Sequence, residues 1–163
     1  SDVYKRQPDE LIEKISKASK FNQGFINTEY LAASLLDMDW HTISYTDPLK
    51  DSNEFEKVSL EKIGLIDEIA PRYRSTYFAH IFSGGYSSGY YSYVHAAVLD
   101  SDGFEAFKEA GDVFDPELST KLRKTIYEKG ATEEAMDLFV NFRGRKPIIA
   151  PLLKVRGLDG SSG

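Results

Sequence analysis

NTEYLAASLLDMDWH, residues 27–41, carries Leu31, Ala32, Leu35, Leu36 and Met38 at three- and four-residue spacing and ends on Trp40 and His41. That recurrence fits the 3.6-residue turn of an α-helix and not the two-residue period of a strand. Asn27 or Thr28 stands in front of it as a side chain able to cap the first turn, so a buried helix is expected from there to His41. The same signals repeat on both sides. Upstream, Pro8 suits the first position of a helix through about Lys20, with Leu11, Ile12 and Ile15 on its apolar side. Downstream, Asp47, Pro48, Asp51 and Ser52 mark a loop, and Asn53 with Glu56 resembles a capping box before a helix that stops at Gly64. Pro71 breaks the pattern. Asp115-Pro116 opens a helix closed by Gly130, and Thr132 followed by two glutamates opens another closed by Gly144. The expected fold is all-α and multi-helical. Ser75–Phe82 is the exception, because its threonine and aromatic residues favour one short strand near 75–82.

Composition narrows the function. In 163 residues, 41% apolar and 28% charged side chains describe one soluble globular unit. A net charge of −6 argues against a nucleic-acid partner, and the lack of a long apolar run argues against a membrane role. There is no cysteine, hence no disulfide framework and no thiol nucleophile. SDVYKRQ lacks the apolar centre of a signal peptide, and residues 1–7 are read as a tag or gene-model remnant. Residues 8–158 form the expected domain, and the Gly- and Ser-rich 159–163 a flexible tail. The cytoplasm is the expected compartment, with the envelope or periplasm kept open because the native N-terminus is not in hand.

The chemistry concentrates in TYFAHIFSGGYSSGYYSY, residues 76–93. If the part after Gly85 is helical, Tyr86, Tyr90 and Tyr93 fall at i, i+4 and i+7 and share a face, while Tyr91 looks elsewhere. Phenols stay neutral at physiological pH and donate to a carbonyl oxygen or to the oxyanion it becomes. The competing reading makes these rings interfacial core with hydroxyls in water.

Three segments, KFNQGFINTEYLAASLLDMDWHT (20–42), APRYRSTYFAHIFSGGYSSGYYSYV (70–94) and FRGRKPIIAPLLKVRGL (142–158), resemble in sequence and order the C-terminal part of the thimet-oligopeptidase-like zinc metallopeptidases, the M3 family. The bacterial peptidyl-dipeptidases, or dipeptidyl carboxypeptidases, are the members most alike. The resemblance implies a helical body with a deep channel, and zinc held by an HExxH helix and a later glutamate. In the family pattern those ligands lie upstream of the segment that begins near Lys20. Zinc is therefore expected in the full-length parent and not in this chain, whose only histidines, His41, His80 and His95, lack the one-turn spacing of a ligand pair.

Carried over residue by residue, the resemblance implies catalytic roles for Tyr93 as oxyanion donor and for His80, six residues before Tyr86, in holding the peptide or its tetrahedral intermediate. It implies substrate contacts by Tyr86 and Tyr90, with Gly84 and Gly85 as the hinge of a closing loop. Arg74, with Arg72, could grip a peptide carboxylate, or could instead tie its loop to a neighbouring acid. His41 and His95 are read as structural, and the basic FRGRKP as a helix C-terminal cap. The implied partners are short peptides, the missing N-terminal part of the same peptidase, and further copies of the chain through self-association.

Two functions follow. The chain is either the substrate-binding and oxyanion-stabilising part of a zinc peptidase, or a non-catalytic helical peptide-binding or interaction module. Either way, the purified chain is expected to hold no stoichiometric zinc and to leave peptides uncut. Metal analysis with a fluorogenic peptide assay checks this, and tight zinc with turnover by the chain alone is the contrary result.

Overall fold

The computed structural model describes residues 7–160, so most of the expected N-terminal remnant and part of the expected tail lie outside the described residues. Eight α-helices follow one another: α1 (Asp9–Ala18), α2 (Gln23–His41), α3 (Ser52–Lys62), α4 (Ala79–Phe82), α5 (Ser92–Ala110), α6 (Pro116–Leu122), α7 (Ala135–Arg143) and α8 (Ala150–Arg156). A 3₁₀ turn at Ser75–Tyr77 precedes α4, and a π-helical turn at Arg123–Tyr127 extends α6. Among the described residues there is no strand, and none of the helices is long and apolar enough to cross a membrane.

The strand expected near 75–82 is replaced by the 3₁₀ turn and α4. Its backbone groups are used locally: the Tyr77 amide donates to the Arg74 carbonyl at 3.0 Å and the Ile81 amide to the Phe78 carbonyl at 3.2 Å. The aromatic residues that suggested a pleated surface fill the core instead, with Phe78 and Ile81 fully buried against Ala33 and Tyr90.

Helix starts differ from expectation for a definable reason. α2 begins at Gln23, behind Asn22 in the left-handed region at φ 56°. Asn27 and Thr28 do not cap, because inside the helix their side chains bond back to carbonyls one turn earlier, Asn27 Nδ2 to Gln23 O at 2.6 Å and Thr28 Oγ1 to Gly24 O at 2.8 Å. At α3 the cap is Asp51, whose carboxylate accepts from the Asn53 and Glu54 amides at 3.0 and 2.9 Å. Glu56 is drawn inward, accepting from Arg74 Nε at 2.7 Å and from the Ser75 amide at 2.6 Å. Asp115 caps α6 as expected, accepting from the Leu118 amide at 2.7 Å. α7 starts at Ala135, three residues after Thr132, whose hydroxyl donates to Lys129 O in the preceding turn.

Two small cores result. One gathers Ala33, Phe78, Ile81 and Tyr90 with Tyr30, Trp40 and Tyr73 around α2, and Trp40 Nε1 donates to Ser75 Oγ at 2.9 Å. The other gathers Ala106, Phe107 and Phe142 with Leu118, Leu122 and Ile126 between α5, α6 and α7. Much apolar surface stays open. α1 buries no residue, and on α2 the buried stripe holds Ala33, Leu36 and Asp37 while Leu31, Leu35 and Met38 face solvent.

The basic run after α7 is more than a dipole cap. Asp102, fully buried on α5, accepts from Arg145 Nη1 and Nη2 at 2.6 Å each, from the Ile148 amide at 2.9 Å and from Arg143 Nε at 3.2 Å. Arg143 then forks onto Glu109 at 2.6 and 2.7 Å. Burial alone would raise the Asp102 carboxyl, but the Arg145 guanidinium and the Ile148 amide outweigh it and hold it below the usual carboxylate range. α8, reached through this turn, packs along α5.

Because its folded pKa is depressed, Asp102 stabilises the fold above the usual carboxylate range, and that contribution is lost as pH falls through its folded value. Asp102→Asn takes the charged partner from Arg145 and leaves Arg143 with Glu109 alone, and is expected to cost about 3 kcal/mol and to flatten the acid limb of stability, read by urea unfolding between pH 3 and 7.

Candidate functional site

α2 presents Tyr30, Ala33, Asp37 and His41 along one stripe, and Asp37 does the positioning. Its carboxylate has no solvent exposure, yet it accepts from the Ser88 amide at 3.0 Å and the Tyr90 amide at 2.9 Å, more than fifty residues away. His41 Nδ1 lies 2.8 Å from both Asp37 Oδ1 and Asp37 O, so it carries its proton there and braces the carboxylate. Two backbone N–H groups and an imidazole N–H thus satisfy a buried charge that would otherwise be prohibitive. The result is a fixed loop.

The loop is tight. The Tyr86 amide donates to His80 O at 3.0 Å, and Ser87 Oγ donates to Ile81 O at 2.6 Å. A Cβ on Gly84 would stand 3.0 Å from the His80 Cα and carbonyl oxygen, so only glycine fits, and Gly85 turns the chain at φ 81°. The expected hinge is therefore seen pinned at both ends. Residues 87–91 form turns and α5 starts only at Ser92, so the tyrosines do not share one helix. They converge through the turn instead.

His80, half-buried, sits in a ring of phenols: its centroid lies 4.7 Å from Tyr73, 5.6 Å from Tyr90, 6.0 Å from Tyr86 and 6.2 Å from Tyr93. Tyr86 and Tyr93 stack at 5.1 Å, and Tyr30 stacks on Tyr90 at 5.3 Å and meets Tyr93 edge-on at 6.4 Å. Exposure separates the phenols. Tyr86 and Tyr93 are 36% and 37% exposed, whereas Tyr90 is 2% exposed and stands behind them in the core. The adjoining Tyr86 hydroxyl, hydrogen-bonded to it, and then desolvation push the Tyr93 phenol up to about 12, and burial followed by the bond to Tyr30 raises Tyr90 further. Both remain neutral donors throughout the physiological range.

Arg74 is not part of this group. Its guanidinium is held by Glu56, and it borders a separate recess with Asn53, Lys57 and Pro71. Arg72 is the nearer cation, 5.3 Å over the Tyr73 ring. Sequence reasoning missed Tyr30, Tyr73 and Asp37. A carboxylate on the buried stripe of an otherwise apolar helix was the available signal for Asp37. Tyr91 is exposed and His95 lies on the surface.

The histidines do not fit a catalytic zinc site. His41 is committed to Asp37, His80 is enclosed by phenols, and among the described residues no three or more His, Cys, Asp or Glu side chains could hold a metal ion.

Comparison with known proteins decides the kinship, since residues 3–158 match the family described as Peptidase family M3. The chain belongs to peptidase family M3. It is 41% identical over 153 residues to the dipeptidyl carboxypeptidase of Escherichia coli, covering 93% of the chain and 22% of that protein. It is 40% identical over 159 residues to the Salmonella typhimurium dipeptidyl carboxypeptidase, covering 97% and 23%. With Escherichia coli oligopeptidase A it shares 34% over 158 residues, covering 94% and 22%. This M3 chain spans about a fifth of the length of the curated relatives it matches.

Asp37→Asn would turn an NH₂ toward donors and is expected to cost about 1 to 3 kcal/mol. Amide hydrogen exchange should show Ser88 and Tyr90 losing protection first, well before the amides of α5.

Proposed function

We propose that this chain forms the substrate-binding and oxyanion-stabilising wall of a peptidase of the dipeptidyl carboxypeptidase type that acts on short peptides. The observation that carries the reading is the convergence of His80 with the two open phenols Tyr86 and Tyr93 on one exposed surface, held from behind by Asp37. Kinship with two dipeptidyl carboxypeptidases supports the substrate class.

The chemistry follows from the donors. Tyr93 Oη–H stands in a fixed, partly desolvated position from which it can donate as charge gathers on a peptide carbonyl oxygen. Without substrate that proton goes to Tyr86 Oη, so a bound peptide takes it over and leaves the Tyr86 hydroxyl free as a second donor. His80 offers a ring nitrogen to the peptide backbone, and Tyr90 keeps the row in place. Gly84 and Gly85 let the backbone pass close to His80 so that Tyr86 returns over it. Arg74 is bound to Glu56 and serves the scaffold in this reading.

The zinc implied by kinship finds no group of three His, Cys, Asp or Glu side chains able to hold it among the described residues. It belongs, with the activation of water, to the rest of the peptidase. That larger partner also accounts for Leu11, Ile12 and Ile15 on α1 and Leu31, Leu35 and Met38 on α2, which would be covered by it and which would promote self-association of the chain alone.

In the peptidase carrying this segment, Tyr93→Phe should lower kcat by about 10²- to 10³-fold with KM little changed. Steady-state kinetics on a fluorogenic peptide reads the split, and an unaltered kcat removes the assignment.

A further inference from the structure

His41 meets the tyrosine loop at both of its ends. At the far end its Nδ1 lies 2.8 Å from Asp37 Oδ1, the oxygen that also accepts from the Ser88 amide at 3.0 Å. The other oxygen, Oδ2, accepts from the Tyr90 amide at 2.9 Å. At the near end the imidazole faces the Phe82 ring at a centroid distance of 6.1 Å, within the range of a paired aromatic contact. The chain thus leaves His41 at Phe82 and returns to it, through Asp37, at Ser88. Tyr86 lies on the span between, and Tyr93 follows Tyr90 by three residues.

The loop does not keep this shape unaided. Ser88 sits at φ 54°, in the left-handed region that a serine adopts only where its surroundings fix it. What fixes it is the Asp37 carboxylate, and the torsion that turns a carboxylate about its Cβ–Cγ bond is broad and soft. A second donor on Oδ1 removes that freedom: with His41 and Ser88 sharing Oδ1, Oδ2 is directed at Tyr90. The Nδ1–H is the group that an aliphatic side chain of similar bulk could not bring to residue 41.

We propose that His41 is a positioning residue of the peptidase reaction, holding the 83–90 loop through Asp37 and Phe82 and thereby setting where the Tyr86 and Tyr93 hydroxyls stand against the substrate carbonyl. The proposal rests on the reading of Tyr93 as the oxyanion donor. His41 acts at one remove, so its loss loosens the loop and leaves every donor in the chain. Because Tyr86 and Tyr93 are bonded to each other, a shift at Ser88 reaches both phenols.

The test has one arm without turnover and one with it. On the 163-residue chain, His41→Leu is expected to speed amide hydrogen exchange at Ser88 and Tyr90 about tenfold while Phe107, in the second core, keeps its rate. His41→Asn, which carries an N–H on the same side-chain position, is expected to keep the protection of the parent chain. In the peptidase carrying this segment, His41→Leu should lower kcat about tenfold with KM within about twofold, and His41→Asn should recover most of the loss. Made on Tyr93→Phe, His41→Leu should cost less than about a further twofold, since the two residues act through one hydroxyl. A histidine serving stability alone would lower Phe107 protection as well and would multiply the Tyr93→Phe loss in full. Exchange at Ser88 and Tyr90 unmoved by His41→Leu, or a kcat loss undiminished on Tyr93→Phe, overturns the proposal. Tyr93→Phe without effect on kcat overturns the oxyanion reading instead, and the exchange arm then decides the loop assignment by itself.

Discussion

The buried carboxylate of Asp37 is the constraint on which the site depends. It takes two backbone N–H groups from a loop that has little apolar surface of its own and would otherwise be free to move. A buried carboxylate is costly unless its oxygens are hydrogen-bonded, and His41 adds a third donor to the two backbone amides. From that anchor the geometry propagates: Tyr90 is fixed in the core, Tyr86 folds back over His80, and Tyr93 is delivered at the mouth of α5.

The same device recurs midway along α5. Asp102 gathers Arg143, Arg145 and the Ile148 amide, and so determines where α8 lies. The turn leading into α5 is thus held by a carboxylate from α2, and the middle of the helix holds the segment leading to α8 through its own carboxylate. The apolar cores contribute less to this positioning, since each is small and the Leu31 and Leu35 edge of α2 is left about half exposed.

The helical class was legible because Leu31 to Trp40 and the cap at Asp115 are local signals that tertiary contacts did not override. The helix starts at α2 and α3 were misplaced because Asn27 and Thr28 bond back one turn inside the helix, and because Glu56 is claimed by Arg74 from outside it. At the site, His80 and the tyrosines could be named from their pattern. Their convergence could not be read from helical periodicity, since residues 87–91 turn rather than wind. Tyr30 and Tyr73 were invisible for a related reason, since each acts across a gap in sequence that no local spacing encodes, whereas Asp37 was marked only by its place on the buried stripe of α2. FRGRKP was read by its nearest helix end, whereas its guanidinium groups answer to a carboxylate about forty residues earlier.

Trp40 is the single indole in the chain, and it lies 4.0 Å from Phe55 with its N–H bound to Ser75. Emission from this chain therefore reports on one end only. Indole emission follows the docking of α3 and the 3₁₀ turn onto α2. The packing of α5 with α7 and α8 lies outside the indole's surroundings, and Tyr127, in the π-helical turn against α7, is the aromatic group placed to follow it.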